Sequence, residues 1–183
     1  MNTPLALRNK LLQLLENYEI RFPLEGLTLR RFRDFVRDNE NLQGKTNLRG
    51  HVTASAWIIN AERTKVLLTH HRKLGIWVQL GGHTDPGEAW QAAALREARE
   101  ESGLQDLVLL QDGLYDVDIH EIPAHLETPA HFHYDLRFLY QGDDLIPLIL
   151  SEESHDLAWV DIIHLGDLTR EESQHRMAGK MRN

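Results

Sequence analysis

The feature that most constrains this chain is the run Glu88–Ser102, which contains no glycine or proline and ends directly at Gly103. Alanine, leucine, arginine and glutamate dominate the run, and all four favour the helix. Glycine is common just after a helix because it accepts a left-handed backbone. The pattern therefore predicts a helix over Glu88–Ser102, preceded by a glycine-containing loop over 81–87.

Three glutamates of this helix are expected to share one face. Residues three and four positions apart are neighbours on a helix, so Glu97, Glu100 and Glu101 fall within an arc of about 100°. Carboxylates this close repel one another unless a cation neutralises them, and Mg²⁺ prefers oxygen ligands. A solvated acidic face is the alternative. The glycines of the preceding loop favour a metal site, because they allow close backbone approach and can present a carbonyl oxygen.

The segments on either side of the helix predict a mixed α/β domain. Short runs rich in β-branched and aromatic residues indicate strands, at 52–60, 65–69, 76–80, 106–111, 114–120, 131–140 and 157–160. The pair Gly81-Gly82 is interpreted as a break after the third of these strands. The segment 170–181 is predicted to be helical.

Residues 1–48 are predicted to form a helical extension. Thr3 can cap a helix that begins at Pro4, and leucines recur after it at helical spacing until Pro23 interrupts the pattern. We interpret the extension as a packing element, either a cap or the surface of a homodimer. The expected division is an extension over 1–48 and one α/β domain over 49–183.

Composition excludes several classes of function. The net charge of −8 argues against nucleic-acid or anionic-membrane binding, since both need a basic surface. The absence of cysteine rules out disulfides, cysteine-bound zinc and thiol nucleophiles. No apolar run approaches the roughly 18 residues of a membrane helix, and the first residues lack a signal pattern. We therefore expect a cytoplasmic protein whose partner is a small molecule.

The spacing around the predicted helix resembles a known signature. Five residues separate Gly82 from Glu88, seven more precede Arg96, and 96–104 has the sequence REAREESGL. The spacing is identified as the box of the Nudix hydrolases, although Ala98 stands where that family often has a larger aliphatic residue. Further segments resemble a bacterial subgroup of undefined substrate: 51–57, 67–75, 118–120, 131–135 and 154–155.

The resemblance implies a fold and a set of roles. The fold is an α/β/α sandwich around a mixed sheet, with the helical extension added at the N-terminus. The metal ligands it implies for Mg²⁺, or alternatively Mn²⁺, are Glu97, Glu100, Glu101 and the Gly81 carbonyl. Arg96 would orient a box carboxylate through charge-assisted hydrogen bonds, and Gly82 and Glu88 would be supporting groups.

The implied reaction is metal-dependent hydrolysis of a diphosphate linkage, in which water attacks phosphorus. Family members typically cleave a nucleoside diphosphate linked to another moiety, such as ADP-ribose or a nucleotide sugar. The deprotonating group varies in the family; here Glu153, with Glu152 next, lies just before a predicted strand, and a solvated acidic loop is the alternative. Arg72 and Lys73 could contact phosphate, or could belong to a plain exposed turn.

Histidines form a second pattern. Polar and apolar side chains alternate in 131–140 and in 116–120, so two antiparallel strands would share a polar face. That face would carry Asp118, His120, His131, His133 and Asp135. It is interpreted as a substrate-binding wall, as a second metal site, or as a solvated strand face. The metal site would use His120, His131, His133 and a carboxylate, which suit Zn²⁺, Mn²⁺ or Fe²⁺.

Other readings of the same fold are weaker. A catalytically silent nucleotide-sensing module would usually lose box carboxylates, whereas this chain keeps them. An isopentenyl diphosphate isomerase would need a cysteine, and an mRNA-decapping enzyme would favour a basic track. ADP-ribose and dinucleoside polyphosphate hydrolases tend to carry a Pro or Tyr about 15 to 17 residues beyond the box. Ile119, His120 and Glu121 occupy that region, so the sequence leaves the substrate open.

Overall fold

The computed structural model describes residues 3–124 and 128–182. Residues 1 and 2 of the predicted extension and residue 183 of the predicted domain lie outside these ranges. The helices are α1 (Pro4–Arg21), α2 (Gly26–Asp38), α3 (Trp90–Ser102), α4 (Leu165–Leu168) and α5 (Glu172–Lys180). The strands are β1 (Gly50–Ile59), β2 (Lys65–His71), β3 (Trp77–Val78), β4 (Leu80–His83), β5 (Val108–Leu109), β6 (Asp116–Ile122), β7 (His131–Gln141) and β8 (Ser154–Asp161).

The N-terminal extension is helical as predicted up to Asp38, whereas residues 39–48 form no helix. Thr3 caps α1, since its side-chain oxygen accepts a hydrogen bond from the Ala6 amide at 3.2 Å. A short 3₁₀ turn at Pro23–Glu25 separates α1 from α2. The apolar faces of both helices join the same core as the sheet. No helix within the described ranges is long and apolar enough to cross a membrane.

The sheet is mixed, in agreement with the predicted fold class. One path through it runs β3-β2-β1-β7-β5, while β4 pairs with β1, β6 with β7, and β8 with β2. The pairing of β1 with β7 is parallel, and the other pairings are antiparallel. All ten residues of β1 are buried, because strands and helices cover it from every side.

Each sheet face carries its own core, and the two together form an α/β/α sandwich. The first face packs against α1, α2 and α3 and includes the side chains of Ala54, Ala56 and Leu136. The second face packs against α4 and α5 and includes Trp57 and Leu139. Since side chains alternate along a strand, the odd-numbered residues of β1 and β7 point to the second face.

The predicted break at Gly81-Gly82 is wrong. Both glycines lie within β4, where Gly81 is opposite Ser55 and Gly82 is opposite Ala54 of β1. A Cβ atom added at Gly81 would lie 2.5 Å from the Ser55 Cα, and the Gly81 φ of 153° is rare for other residues. The glycine therefore serves a close approach between two strands rather than a turn.

Candidate active site

Helix α3 begins at Trp90, two residues after the predicted start. Glu88 is held in a turn before it, because the Glu88 amide donates to the Asp85 carbonyl at 3.0 Å. The Glu88 carboxylate in turn accepts from the Asp85 amide at 3.0 Å. The helix ends where predicted, at Gly103, whose φ of 77° is left-handed and whose amide donates to Arg99.

The buried face of α3 brings the helix close to the glycines of β4. Ala93, Ala94 and Ala98 are fully buried, and their small side chains allow the helix to approach β1 and β4. A Cβ atom added at Gly82 would lie 2.6 Å from a carboxylate oxygen of Glu97. The absence of a side chain at Gly82 therefore makes room for the Glu97 carboxylate.

Arg96 connects three carboxylates and one backbone carbonyl. Its Nε and Nη2 donate to the two carboxylate oxygens of Glu88, each at 3.0 Å. Its Nη1 donates to Glu97 at 2.8 Å and to Glu100 at 3.2 Å. Nη2 also reaches the carbonyl oxygen of His83 at 3.0 Å. Arg96 thus fixes the turn, the helix and the end of β4 relative to one another.

The three box glutamates differ in exposure. The Glu100 side chain is 60% exposed, the Glu97 side chain is 16% exposed, and Glu101 is 7% exposed as a residue. Glu101 accepts a hydrogen bond from the Gly81 amide at 3.1 Å. Both glycines of β4 therefore contact the acidic face of α3. We call Glu97, Glu100 and Glu101 the box cluster.

Negative charge in the box cluster exceeds the positive charge around it. Burial and the charges of Glu97, Glu153 and Glu100 together raise the pKa of Glu101 to about 8, against the Gly81 hydrogen bond, which lowers it. Burial also raises the pKa of Glu97, despite its ion pair with Arg96. Within the described ranges, Arg96 is the one arginine paired with these carboxylates, and this donor set fits a hard divalent cation.

The loop before β8 brings Glu153 towards the box cluster. The Glu153 carbonyl accepts from the Arg72 amide at 2.9 Å, and Arg72 Nη2 donates to the Ser154 carbonyl at 3.2 Å. The negative charge of Glu153 acts on Glu97 and Glu101 by raising their pKa values. Arg72, Lys73, Glu152 and Glu153 are exposed. Lys73 lies in the turn after β2; burial lowers the pKa of His83, and the charge of Lys73 adds a small part to that shift.

The predicted polar strand face is confirmed. Strands β6 and β7 are antiparallel, with His120 opposite His133 and Asp118 opposite Asp135. The His120 and His133 ring centroids are 5.4 Å apart, and those of His131 and His133 are 5.2 Å apart. The three histidines named from the sequence are therefore neighbours.

Two further histidines, missed by the sequence reasoning, complete this group. His51 of β1 lies opposite His133, with ring centroids 4.8 Å apart, and His83 of β4 lies 4.8 Å from His51. Because His51 alternates with Thr53 and Ser55 along one strand, the sequence indicates that all three side chains lie on the same sheet face. The sequence does not indicate which strand lies next to His51. We call the five residues the histidine cluster: His51, His83, His120, His131 and His133.

The predicted metal set changes accordingly. Among the described residues, His51, His131 and His133 have ligand nitrogens within 4.8 Å of one another. His51 thus replaces His120, whose Nδ1 lies 3.4 Å from an Asp118 oxygen.

The aspartates of the same face belong to a separate charge network. Arg137, whose side chain is 3% exposed, contacts Asp116 at 3.1 Å, Asp118 at 3.3 Å and Asp135 at 2.8 Å. Arg176 of α5 pairs with Asp116 at 2.7 Å, and Lys180 also reaches Asp116. These contacts tie α5 to the second sheet face. We call the set the arginine network: Asp116, Asp118, Asp135, Arg137, Arg176 and Lys180.

Solved structures share this architecture. A Nudix-family hydrolase from Clostridium perfringens is 25% identical, with a TM-score of 0.53 over 72% of this chain and 96% of that one. A Caenorhabditis elegans Ap4A hydrolase is 18% identical, with a TM-score of 0.55 over 72% and 94%. The Escherichia coli dihydroneopterin triphosphate pyrophosphohydrolase is 20% identical, with a TM-score of 0.56 over 70% and 92%.

The NUDIX domain match and the Nudix-hydrolase relatives support a pyrophosphohydrolase that acts on acid anhydrides. A family model described as the NUDIX domain matches residues 49–179. The chain therefore belongs to the Nudix family. The division between residues 48 and 49 as a domain boundary stays a prediction.

Proposed function

We propose that this chain hydrolyses the diphosphate linkage of a nucleoside diphosphate joined to another moiety, in a reaction that depends on Mg²⁺. The observation that carries the proposal is the excess of buried negative charge in the box cluster. Glu101 is almost fully buried beside Glu97, and Arg96 is the only cation among the described residues that pairs with the cluster. A buried group of carboxylates that nearby positive charge does not balance is costly, and a bound cation would offset that cost.

The ligands proposed for the cation are Glu97, Glu100, Glu101 and the carbonyl oxygen of Gly81. All are hard oxygen donors, which suit Mg²⁺ and, as the alternative, Mn²⁺. When bound, the ion would neutralise diphosphate charge and polarise phosphorus. Gly82 leaves the space that the Glu97 carboxylate occupies.

Arg96 is proposed as the residue that positions the carboxylates. Its two hydrogen bonds to Glu88 anchor the guanidinium, so its remaining donors can hold Glu97 and Glu100 in place. Glu88 would act through Arg96 and would not itself touch substrate. An Arg96→Lys variant would lose the forked geometry, because lysine offers a single charged centre.

Glu153 is proposed as the general base that accepts a proton from the attacking water. It is exposed, and its charge reaches both Glu97 and Glu101. Glu152 is the nearest alternative, one residue earlier on the same loop. If either is the base, Glu152→Gln/Glu153→Gln should depress the rise of activity from acidic to mildly alkaline pH.

Arg72 and Lys73 are proposed to contact the substrate phosphates. One N–H group of the Arg72 guanidinium donates to the Ser154 carbonyl, and this hydrogen bond holds the Arg72 side chain beside the loop that contains Glu153. His120 is proposed to face the substrate as well, because its side chain is 38% exposed. His131 and His133 are more deeply placed, in contact with His51.

The substrate class is tested by a screen of purified protein with Mg²⁺. The panel comprises ADP-ribose, nucleotide sugars, nucleoside triphosphates, coenzyme A, Ap4A and dihydroneopterin triphosphate; the last two appear in the names of structural relatives. Ion-pair chromatography should resolve two phosphorylated products from at least one compound. Nucleotide binding without any hydrolysis would instead indicate a silent sensing module.

The proposal also includes the type of partner, the cellular location and the oligomeric state of the protein. The net charge of −8 supports a small-molecule partner rather than nucleic acid. A cytoplasmic location and a homodimer are also proposed. Light scattering of the purified chain would measure its mass against 21.2 kDa for one copy.

A further inference from the structure

The histidine cluster lies at one end of the second sheet face and is built from four strands. His83 comes from β4, His51 from β1, His131 and His133 from β7, and His120 from β6. Neighbouring ring centroids lie 4.8 to 5.4 Å apart. Residues this distant in sequence meet only because β1 and β7 are parallel neighbours, with His51 opposite His133.

Three of these histidines have converging nitrogen atoms. The ligand nitrogens of His51, His131 and His133 all lie within 4.8 Å of one another. His51 is 3% exposed and His131 is 9% exposed. Among the described residues, both ring nitrogens of His51 and the Nε2 of His133 are buried and have no hydrogen-bond partner. Buried polar atoms normally have partners, so these nitrogens have the capacity to bind a ligand at the centre of the group.

The tautomer of His131 points in the same direction. Its Nδ1 lies 2.9 Å from the Pro129 carbonyl oxygen. A carbonyl can only accept, so Nδ1 carries the proton and Nε2 keeps its lone pair. Histidines that bind a metal commonly donate their other ring nitrogen to a carbonyl in this way, which fixes the orientation of the ring.

We propose that His51, His131 and His133 bind one divalent transition-metal ion, with Zn²⁺ the best fit. Neutral imidazole is a good ligand for Zn²⁺, and three protein ligands leave the fourth tetrahedral position open. The nitrogens need to close to about 3.4 Å, the spacing that a Zn–N distance near 2.0–2.1 Å sets in a tetrahedron.

Burial favours a metal over a phosphate group as the occupant. Rings this enclosed and this close together would repel one another if they were charged, whereas neutral rings can share one metal ion. An anion would be attracted instead by protonated rings.

The site is distinct from the box cluster. His51 and His133 project from the second sheet face, whereas Glu97 belongs to α3 on the first face. The two sites meet at β4, where the His83 carbonyl accepts from Arg96 and its ring lies 5.1 Å from that of His133. The proposal does not depend on the proposed hydrolysis, since Zn²⁺ binding is measured without substrate.

Competition with a chromogenic chelator would measure the Zn²⁺ affinity of the whole chain. We expect one tight site, weakened about 100-fold or more in His131→Gln and in His133→Gln. His164→Gln is the matched control, because that side chain is 63% exposed and lies outside the cluster. Glu101→Gln should also retain the site, which separates it from the box cluster. Equal Zn²⁺ affinity in wild type and both cluster variants would overturn the proposal.

X-ray absorption of the Zn²⁺-loaded wild-type protein tests the ligands without any variant. We expect the scattering pattern of three imidazole rings, with nitrogens at about 2.0 Å. A first shell made of oxygen alone would overturn the proposal. Near-ultraviolet circular dichroism of each variant separates the loss of a ligand from the loss of the fold.

Discussion

Two groups of carboxylates in this protein, the arginine network and the box cluster, differ in the positive charge that faces them. In the arginine network, Asp116, Asp118 and Asp135 face Arg137, with further cations from α5. In the box cluster, the one cation among the described residues that pairs with the glutamates is Arg96, which also pairs with Glu88. Both groups are acidic, but only one is matched by cations of the chain.

The consequence appears in the pKa values, which move in opposite directions. Burial alone would raise the pKa of Asp116, but hydrogen bonding by Arg176 and the charges of Arg137 and Lys180 lower it overall. The pKa of Glu101 rises to about 8, because burial and like charges act together. Carboxylates that are balanced by cations of the chain, as in the arginine network, stabilise the fold. Carboxylates that lack such a balance, as in the box cluster, are suited to binding a cation.

The largest effect is expected from breaking the matched group. Asp116→Asn would leave buried cations of the network without their shared partner. The free energy of unfolding should fall by about 3–5 kcal/mol, the usual cost of removing one member of a buried ion pair. Urea unfolding checks this, with the exposed Asp106→Asn as control. A loss no greater than that of the control would mean that the network contributes little to stability.

A substitution in the box cluster should lower activity rather than stability. Glu101→Gln should lower kcat by about 10²-fold or more, because the variant removes a proposed ligand of the ion. Without divalent ions and at a pH above about 8, where Glu101 is charged, the melting temperature of the variant should equal or exceed that of the wild type, since a buried unbalanced charge is lost. Steady-state kinetics and thermal unfolding measure both. A marked loss of stability at unchanged kcat would reverse the two assignments.

A smaller effect is expected from filling the space beside Glu97. The new methyl group of Gly82→Ala would meet the Glu97 carboxylate, the mobile end of a side chain. The fold should survive while the displaced carboxylate lowers kcat on the order of 10-fold. Gly26→Ala is the control, because nothing lies within 4 Å of its Cβ position. Equal activity in the two variants would show that Glu97 needs no fixed position.

The smallest expected effect is on how the free energy of unfolding depends on pH. The folded pKa of Asp116 lies below its ordinary value of 3.8, so its contribution to stability is present above that pH and is lost as the pH falls further. Asp116 is faced by Arg137 from β7, by Arg176 and Lys180 from α5, and by the Tyr18 hydroxyl from α1.

Urea unfolding between about pH 6 and pH 3 measures this contribution. The stability of the wild type should fall more steeply in acid than that of Asp116→Asn, by at most about 1.4 kcal/mol per pH unit for one group. Parallel curves would contradict the lowered pKa.

The box cluster could be predicted because its residues lie close together in the sequence. The spacing of Glu97, Glu100 and Glu101 follows from helix geometry, and Gly103 marks the end of the helix. The helix start was less accurate, since Glu88 is recruited by Asp85 and Arg96 into a turn.

The histidine cluster could be predicted only in part because its residues come from strands that lie far apart in the sequence. Alternation placed His120, His131 and His133 on one face, since β6 and β7 are consecutive antiparallel strands. His51 joins them through the parallel pairing of β1 with β7, which no short sequence pattern specifies. His83 joins them because Gly81-Gly82 continues as a strand against β1 instead of breaking.

The central claim is that the box cluster binds the cation used in diphosphate hydrolysis. The most direct test is hydrolysis of the best substrate in ¹⁸O-labelled water, with Mg²⁺ or with a chelator, for wild type and Glu101→Gln. We expect wild-type hydrolysis only with Mg²⁺, the label in one phosphate product, and a rate about 10²-fold lower in Glu101→Gln. Hydrolysis unaffected by the chelator, or a full rate in Glu101→Gln, would contradict the claim.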